Sequence, residues 1–479
     1  MQAGRIAMVL GGLLASLWAE AALPEVVLAR LKAAKLPENA LAAVVLPLDG
    51  GPARLEHHAD VAVNPASTLK LISTLAALET LGPTYQWRTG LYTDGQIENG
   101  LLRGNLYLQG SGDPKLTFER VWLLLRDLRA QGVRRIAGDL VLDRSAFRLP
   151  PEEASGQFDE QPERAYNVLP DPLLMNFKAV RFEMESDANA MTVRIEPPLD
   201  GLSVDSRMKL VNGDCSTWNQ GWARPEIRNE AHGQIAVTLQ GRFPRQCRAA
   251  RYLGVLEAPD FASRLVRGLW QELGGEITGT TREAAVPIGA RKLAESVSPP
   301  LAELVRDINK LSNNTMARSV FMTLGSDYQR SHTEAATLDS QQAAALAVRD
   351  WLAGRGQAFP ELIMDNGAGL SRIARVTPRH LATVLQLGYR SAFAPEYAAS
   401  LPIVGLDGTM RKRLTGSPLA GTARIKTGTL EDVKAVAGYV YDSAGRAWLV
   451  VGIVNHKHAE VAQPALDALL DWAGQASPS

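Results

Sequence analysis

The chain has 479 residues, 46% of them hydrophobic and 21% charged, the mix of a soluble globular protein too long for one core. Its 51 basic and 51 acidic side chains cancel and no Lys/Arg run stands out, which argues against nucleic acid or an anionic membrane surface as main partner. Two cysteines and seven scattered histidines, with no C-x-x-C or H-E-x-x-H, give no support for a metal site.

The N-terminus carries one early cation, Arg5, then an apolar run from Ile6 to Trp18 and small residues at Ala19 and Ala21. That is the pattern of a secretory signal over 1–21, cut after Ala21; the run is short for a membrane anchor, the alternative. Export to an oxidising compartment, a bacterial periplasm, suggests one disulfide between Cys215 and Cys247, with two free buried thiols as the alternative.

PEVVLARLKAAKL has helical periodicity, and ALAAVVLPLD and RLEHHADVAV read as strands joined by a turn near Gly50-Gly51-Pro52. VAVNPASTLKLIST follows. Asn64 is placed to cap a helix with Pro65 at its first position, and the apolar series Leu71, Ile72, Leu75, Leu78 carries it to Gly82-Pro83. Ser67 and Lys70 then share a face in the first turn. A hydroxyl beside a deprotonatable amine is a nucleophile next to its own base. The spacing alone is uninformative, since Ser206 to Lys209 repeats it.

From about 85 to 290 the texture is β-rich: LLRGNLYLQGSGDP, RRIAGDLVLDRSAF, AMTVRIEPPLDG and GQIAVTLQGRFP. FERVWLLLRDLRAQG and FASRLVRGLWQELGG read as helices within it. LRGNLYL and IAGDLVL echo each other, without a fixed period that would make a solenoid. Beyond 295 helices return: PPLAELVRDINKLSNNTMARSVFMTLG, interrupted near Ser312, then TPRHLATVLQLGYRS and PALDALLDWAG. ARIKTGTLEDVKAVAGYVYDSAGRAWLVVGIVNH reads as three strands. The ends share an α/β texture that the middle lacks, so one domain interrupted by a long β-rich insertion is the economical reading.

Two motifs complete what Ser67 and Lys70 begin. Ser312-Asn313-Asn314 sits at the helix break and Lys426-Thr427-Gly428 on a strand. S-x-x-K, S-x-N and K-T-G in that order are the set of penicillin-binding proteins and serine β-lactamases. Each triplet has an ordinary structural reading; that account fails jointly. Ser67 would attack and Lys70 act as base, its pKa depressed by burial and by the second cation, Lys426. Ser312 would relay a proton to the leaving amine and Asn314 hold the substrate backbone. Thr427 and Lys426 suit a terminal carboxylate, and Gly428 lets substrate lie along the strand. The backbone N–H groups of Ser67 and Thr429 would form the oxyanion hole.

With NPASTLKL, LYLQGSGDP, GDLVLDRSAF, KLSNNTMA, DNGAGLSR, LPIVGLDGT and IKTGTL, and a long gap from Ser67 to Ser312, the chain resembles the class C low-molecular-mass penicillin-binding proteins. These are the D-alanyl-D-alanine carboxypeptidases/endopeptidases related to penicillin-binding protein 4. The resemblance implies an α/β, multi-domain fold. A β-lactamase/transpeptidase-like domain, an antiparallel sheet flanked by helices over 22–84 and 288–479, is interrupted at 85–287 by two nested β-rich insertion domains. It implies cleavage of peptidoglycan stem peptides and of diaminopimelate cross-links, acylation by β-lactam antibiotics, and no cofactor. It assigns Arg372 of G-L-S-R and an acidic insertion residue, matched to Asp171 in YNVLPDPLLMNF, to the diaminopimelate end. Asn313 stands where many members have Asp, a position outside the acting groups. Within the enzyme class the alternative is a β-lactamase, which the absence of E-x-x-L-N disfavours. A catalytically silent peptidoglycan-binding protein is the alternative outside it. Loose membrane association and oligomeric state stay open.

Overall fold

The structure is a computed structural model that describes residues 22–150 and 158–476. The expected leader lies outside the described residues. Among those, no helix is long and apolar enough to cross a membrane.

The two ends of the chain share one antiparallel five-stranded sheet. Its order is Arg424–Leu430, Val433–Tyr441, Ala447–Asn455, Leu41–Pro47, Leu55–His57. Leu41 faces Val454 and Pro47 faces Trp448, so the first strand of the fold pairs with the last. The central strands are buried on both faces, and a period of two divides their side chains between two cores. Val433, Ala435, Ala437 and Tyr439 pack with the helices Lys70–Leu81, Leu301–Leu311, Asn314–Ser331 and Pro378–Arg390. Val436 and Val440 pack on the opposite face with Glu25–Ala33 and Gln463–Ala473.

Where the sequence predicts a helix beginning at Pro65, the structure has a 3₁₀ turn over Ala66–Leu69 and α-helix from Lys70. The Asn64 side chain accepts from the Ala66 N–H at 2.9 Å, and Ala66 itself takes φ 46°. The helix ends at Gly82, φ 86°, as expected. The difference has a consequence, because side chains three residues apart eclipse in a 3₁₀ turn.

The chain leaves through Arg88–Thr93 and returns through Arg291–Val297, two strands that pair antiparallel. Between them the echoing sequences stack. Leu101 and Leu102 lie parallel to Arg135 and Ile136, and Leu106–Gln109 to Leu140–Asp143. Glu276–Ile277 and Thr281–Glu283 add a further rung that the sequence reading missed. Each rung turns its corner at a glycine. A Cβ on Gly138 would stand 2.4 Å from the Gly104 carbonyl oxygen, and one on Gly279 2.3 Å from that of Gly138. The neighbouring side chains form a ladder: Asn105 accepts from the Asp139 N–H and Asp139 from the Thr280 N–H, both at 2.9 Å.

The rest of the middle region is a three-stranded sheet, with Val180–Ser186 at its centre, and a four-stranded sheet around Ile235–Pro244. Cys215 and Cys247 form the expected disulfide. Phe118–Ala130 and Ala258–Glu272 are the expected helices. Ser340–Gly354 and Ala394–Ser400 are helices not read from the sequence.

Candidate active site

Ser67 owes its position to the 3₁₀ turn. Lys70 Nζ lies directly over it and donates to Ser67 Oγ at 2.9 Å. The same amine donates to Asn314 Oδ1 at 2.7 Å and to the Ala368 carbonyl at 2.6 Å. Lys70 is fully buried, and its pKa lies well below the ordinary lysine value. Burial is the main cause; the charges of Lys426 and then Arg318 add to it.

Ser312 is brought to the site by a break between two helices. Leu301–Leu311 ends on Ser312 in the left-handed region, φ 56°, and the chain restarts as Asn314–Ser331. Asn313 caps the second helix by accepting from the Met316 N–H at 3.0 Å. The next residue, Asn314, meets Lys70. Lys426 Nζ donates to Ser312 Oγ at 2.8 Å and to the Thr427 carbonyl at 2.7 Å. It too is fully buried, and burial pulls its pKa down to about 7. Among the described residues neither lysine has a carboxylate partner. Two buried amines facing two hydroxyls, with no acid between them, make a site built to hold neutral lysine.

The strand Arg424–Leu430 is an edge of the sheet, and the turn that carries Ser67 packs against it. A Cβ on Gly428 would come within 2.8 Å of the Pro65 carbonyl oxygen and 3.1 Å of the Ser67 nitrogen. The motif glycine is therefore required by the approach of this protein's own turn, which is a different reason from the substrate contact expected from sequence. Thr427 Oγ1 donates to Thr409 Oγ1 at 2.8 Å.

These groups open into a cleft of about 510 Å³. Ser67, Ser312, Asn314, Thr427, Thr429 and Arg372 line it, and the inserted region walls it with Phe158, Asp159, Gln161 and Tyr166. Asp159 accepts from the Tyr166 hydroxyl at 2.7 Å and from the Asn167 amide at 2.6 Å. Burial and the bond to Asp159 push the Tyr166 phenol up to about 12, so it stays a donor. Arg372 stacks over the Phe158 ring at 4.6 Å and lies 3.8 Å from Glu431 and 3.6 Å from Asp432.

Asp171 requires a correction. It does not line the cleft. It is buried and chelated by Arg144, and it also accepts from the Leu173 N–H at 2.8 Å. Among the described residues, the acidic insertion residue that does line the cleft is Asp159, twelve positions earlier. Asp159, Asp171 and the glutamates between them are equivalent to a spacing argument, and only the loop's path separates them. Tyr166 and Thr409 were missed as well; Thr409 lies in LPIVGLDGT, which carried the resemblance without a role for its threonine.

Residues 24–476 match the model of the D-Ala-D-Ala carboxypeptidase 3 (S13) family. The chain belongs to this family. It is a serine-type carboxypeptidase of the S13 class, as the three motifs and their resemblance led one to expect. It is 28% identical over 395 residues to D-alanyl-D-alanine carboxypeptidase DacB of Haemophilus influenzae, a match covering 81% of this chain and 80% of that one. Penicillin binding protein 4 of H. influenzae has a similar fold, with TM-score 0.77 at 24% identity over 94% of this chain and 99% of the other. A predatory peptidoglycan endopeptidase from Bdellovibrio bacteriovorus shares the fold more loosely, with TM-score 0.51 at 16% identity over 90% and 92% of the two chains.

Proposed function

We propose that this S13 protein removes the terminal D-alanine of peptidoglycan stem peptides, and cuts cross-links of the same stereochemistry, through an acyl-enzyme on Ser67. Neutral Lys70 takes the Ser67 proton as Oγ attacks the carbonyl of the penultimate D-alanine, and the oxyanion develops toward the N–H groups of Ser67 and Thr429. Ser312, held by Lys426, passes a proton to the departing amine, so that free D-alanine leaves and the remaining peptide stays as an ester of Ser67. Water then hydrolyses the ester. Asn314 holds the substrate amide, and Thr427 with Lys426 holds the terminal carboxylate. Penicillins enter by the same attack, their ring amide replacing the peptide bond.

Arg372 and Asp159, which line the same cleft, suit a zwitterionic side-chain end such as that of diaminopimelate, with Asp159 in the role first matched to Asp171. The catalytic unit of this reading is 22–84 with 288–479, and the insertion at 85–287 supplies the outer wall. Work on peptidoglycan, with the leader expected over 1–21, supports a periplasmic location in this reading.

The observation that carries the reading is the fully buried Lys70 amine, 2.9 Å from Ser67 Oγ with a second buried lysine behind it. Intact-mass spectrometry after incubation with labelled penicillin tests it. One adduct is expected on the native chain and none on Ser67→Ala; an adduct on Ser67→Ala, or none on either, would remove the mechanism.

A further inference from the structure

A second cavity, of about 170 Å³, lies within the inserted region at the back of the cleft wall. Leu169, Pro170 and Asp171 line it, only a few residues beyond Tyr166, which faces the catalytic cleft. One loop thus has the active site on one side and this cavity on the other. The Val168 carbonyl in that loop accepts from Arg318 of the Asn314 helix at 3.3 Å.

Lys178 is the anomaly of this cavity. It is 3% exposed, yet among the described residues its ammonium makes no hydrogen bond and no ion pair. Buried charges are ordinarily paired or coordinated. Its backbone is unusual too. Asn176, Phe177 and Lys178 have φ 47°, 55° and 54°, consecutive left-handed residues of which none is glycine. Each is unfavourable by roughly 1–2 kcal/mol for an L-residue, so the surrounding structure enforces the turn that points Lys178 inward.

The other walls complete a pattern. The fifteen-residue helix Ala258–Glu272 opens onto the cavity, and Glu257 precedes it without a side-chain capping bond. Its N-terminal dipole favours an anion there. Arg144 is committed to Asp171 and Glu283, which leaves Lys178 as the uncommitted cation of the cavity. Glu257 has no ion pair among the described residues; burial lowers the Lys178 pKa, and the charges of Glu257 and then Asp171 act against that to favour its protonated form. Leu169 and Pro170 supply an apolar wall. A cation with a helix N-terminus, an anion and a small apolar patch, in a space of that size, match one class of molecule.

We propose that this cavity binds a small zwitterionic amino acid, its carboxylate on Lys178 and the helix N-terminus, its ammonium on Glu257 and its side chain against Leu169 and Pro170. Only the choice of D-alanine as probe rests on the proposed function, since that amino acid is the product released on the other side of the same loop. No bond is made or broken at this site.

Titration calorimetry of the full chain with D-alanine, acetate and methylammonium tests it. D-alanine binds saturably and more tightly than either half-ligand. Lys178→Met weakens D-alanine roughly tenfold or more, as the loss of one charge-assisted contact would. Glu257→Gln, an exposed change that leaves the fold intact, removes the preference for D-alanine over acetate. Lys426→Met, in the cleft, leaves the binding as it was. Absence of saturable binding, acetate binding as tightly as D-alanine, or a loss in Lys426→Met with none in Lys178→Met each overturns the proposal. The readout is occupancy rather than turnover, so it stands apart from whether penicillin labels Ser67.

Discussion

The two buried lysines of the candidate site and the buried acids of the inserted region are treated in opposite ways. Three buried acids of the insertion are satisfied: Asp113 by Arg120 at 2.6 Å, Asp171 by Arg144, and Asp143 by hydrogen bonds from Gln109, Ser145 and the Val286 N–H. In the catalytic half Lys70 and Lys426 are fully buried and see only hydroxyls, an amide and carbonyls. Pairing a buried charge offsets its desolvation and yields structure; leaving a buried amine unpaired favours its neutral form and yields a base. The chemistry of this fold lies where the compensation has been withheld. Lys178 of the insertion is buried without an ion pair but, unlike the two site lysines, lies in the field of two acids, Glu257 and Asp171, that favour its charged form, and there it marks the proposed second site.

The largest expected effect comes from removing the proposed base, the uncompensated Lys70. Lys70→Met lowers the rate of penicillin acylation by about 10²–10⁴-fold, the range for loss of a general base. Stopped-flow labelling measures it. Lys70→Arg fares no better, because a guanidinium cannot be deprotonated. If either variant labels within tenfold of the native chain, the unpaired lysine is not the base and the contrast between the halves loses its meaning.

Much of this site was legible because each motif is local. Ser67 and Lys70 are three residues apart, Ser312 announces itself by a break in apolar periodicity, and Lys426 sits in an alternating strand. Their convergence was not local, and only the recognised order of motifs supplied it. Legibility fell away where a residue's role depends on the path of a loop. Asp159 and Asp171 carry the same side chain in the same polar stretch, and their opposite fates follow from Arg144 lying beside one of them. The glycine corners were half legible: LRGNLYL and IAGDLVL echo visibly, while EITGTTRE keeps the glycine but loses the aliphatic pattern.

The second effect probes the insertion alone. Its walls include half-exposed strands such as Met191–Glu196, whose alternate residues face solvent, and its four-stranded sheet is tied down by the disulfide. Replacing both Cys215 and Cys247 by serine releases a loop of 32 residues and lowers stability by about 3–4 kcal/mol in the chain-entropy account. Urea denaturation reads this. Penicillin labelling below the transition should hold within about twofold, because none of the cleft residues belongs to that loop. A parallel loss of labelling would show that the two regions are not separable.

The third effect concerns the stability that the catalytic half gives up. Lys426 titrates at about 7 in the folded chain, against about 10.4 unfolded. Below pH 7 both states carry the proton and the burial penalty is full. Between pH 7 and 10 the folded lysine is neutral while the unfolded one still binds a proton, so stability rises with pH across that window. Lys426→Met is therefore expected to be more stable than the native chain by about 2 kcal/mol at pH 6, while losing activity. Its advantage shrinks toward pH 10. Thermal melts at pH 6, 8 and 9.5 give the comparison, and a gap that does not narrow with pH would point to packing rather than charge.

The smallest effect tests whether the boundary between structure and chemistry runs through a single motif. Asn313 lies between two residues of the site, yet its side chain turns away to cap the helix Asn314–Ser331. Asn313→Ala removes that cap and lowers stability by about 1 kcal/mol. Asn313→Asp keeps the acceptor and adds a negative charge at a helix N-terminus, so stability should hold or rise slightly. The same charge lies near two depressed lysines and would raise their pKa if it were felt there. Asn313 is half-exposed and its carboxylate would be aimed at backbone N–H groups, so solvent and the cap should absorb most of that field. Acylation by Asn313→Asp at pH 7 is accordingly expected within about twofold of the native rate. A larger drop, recovering as pH rises, would mean that the middle residue belongs to the electrostatics of Lys70 and not to the helix alone.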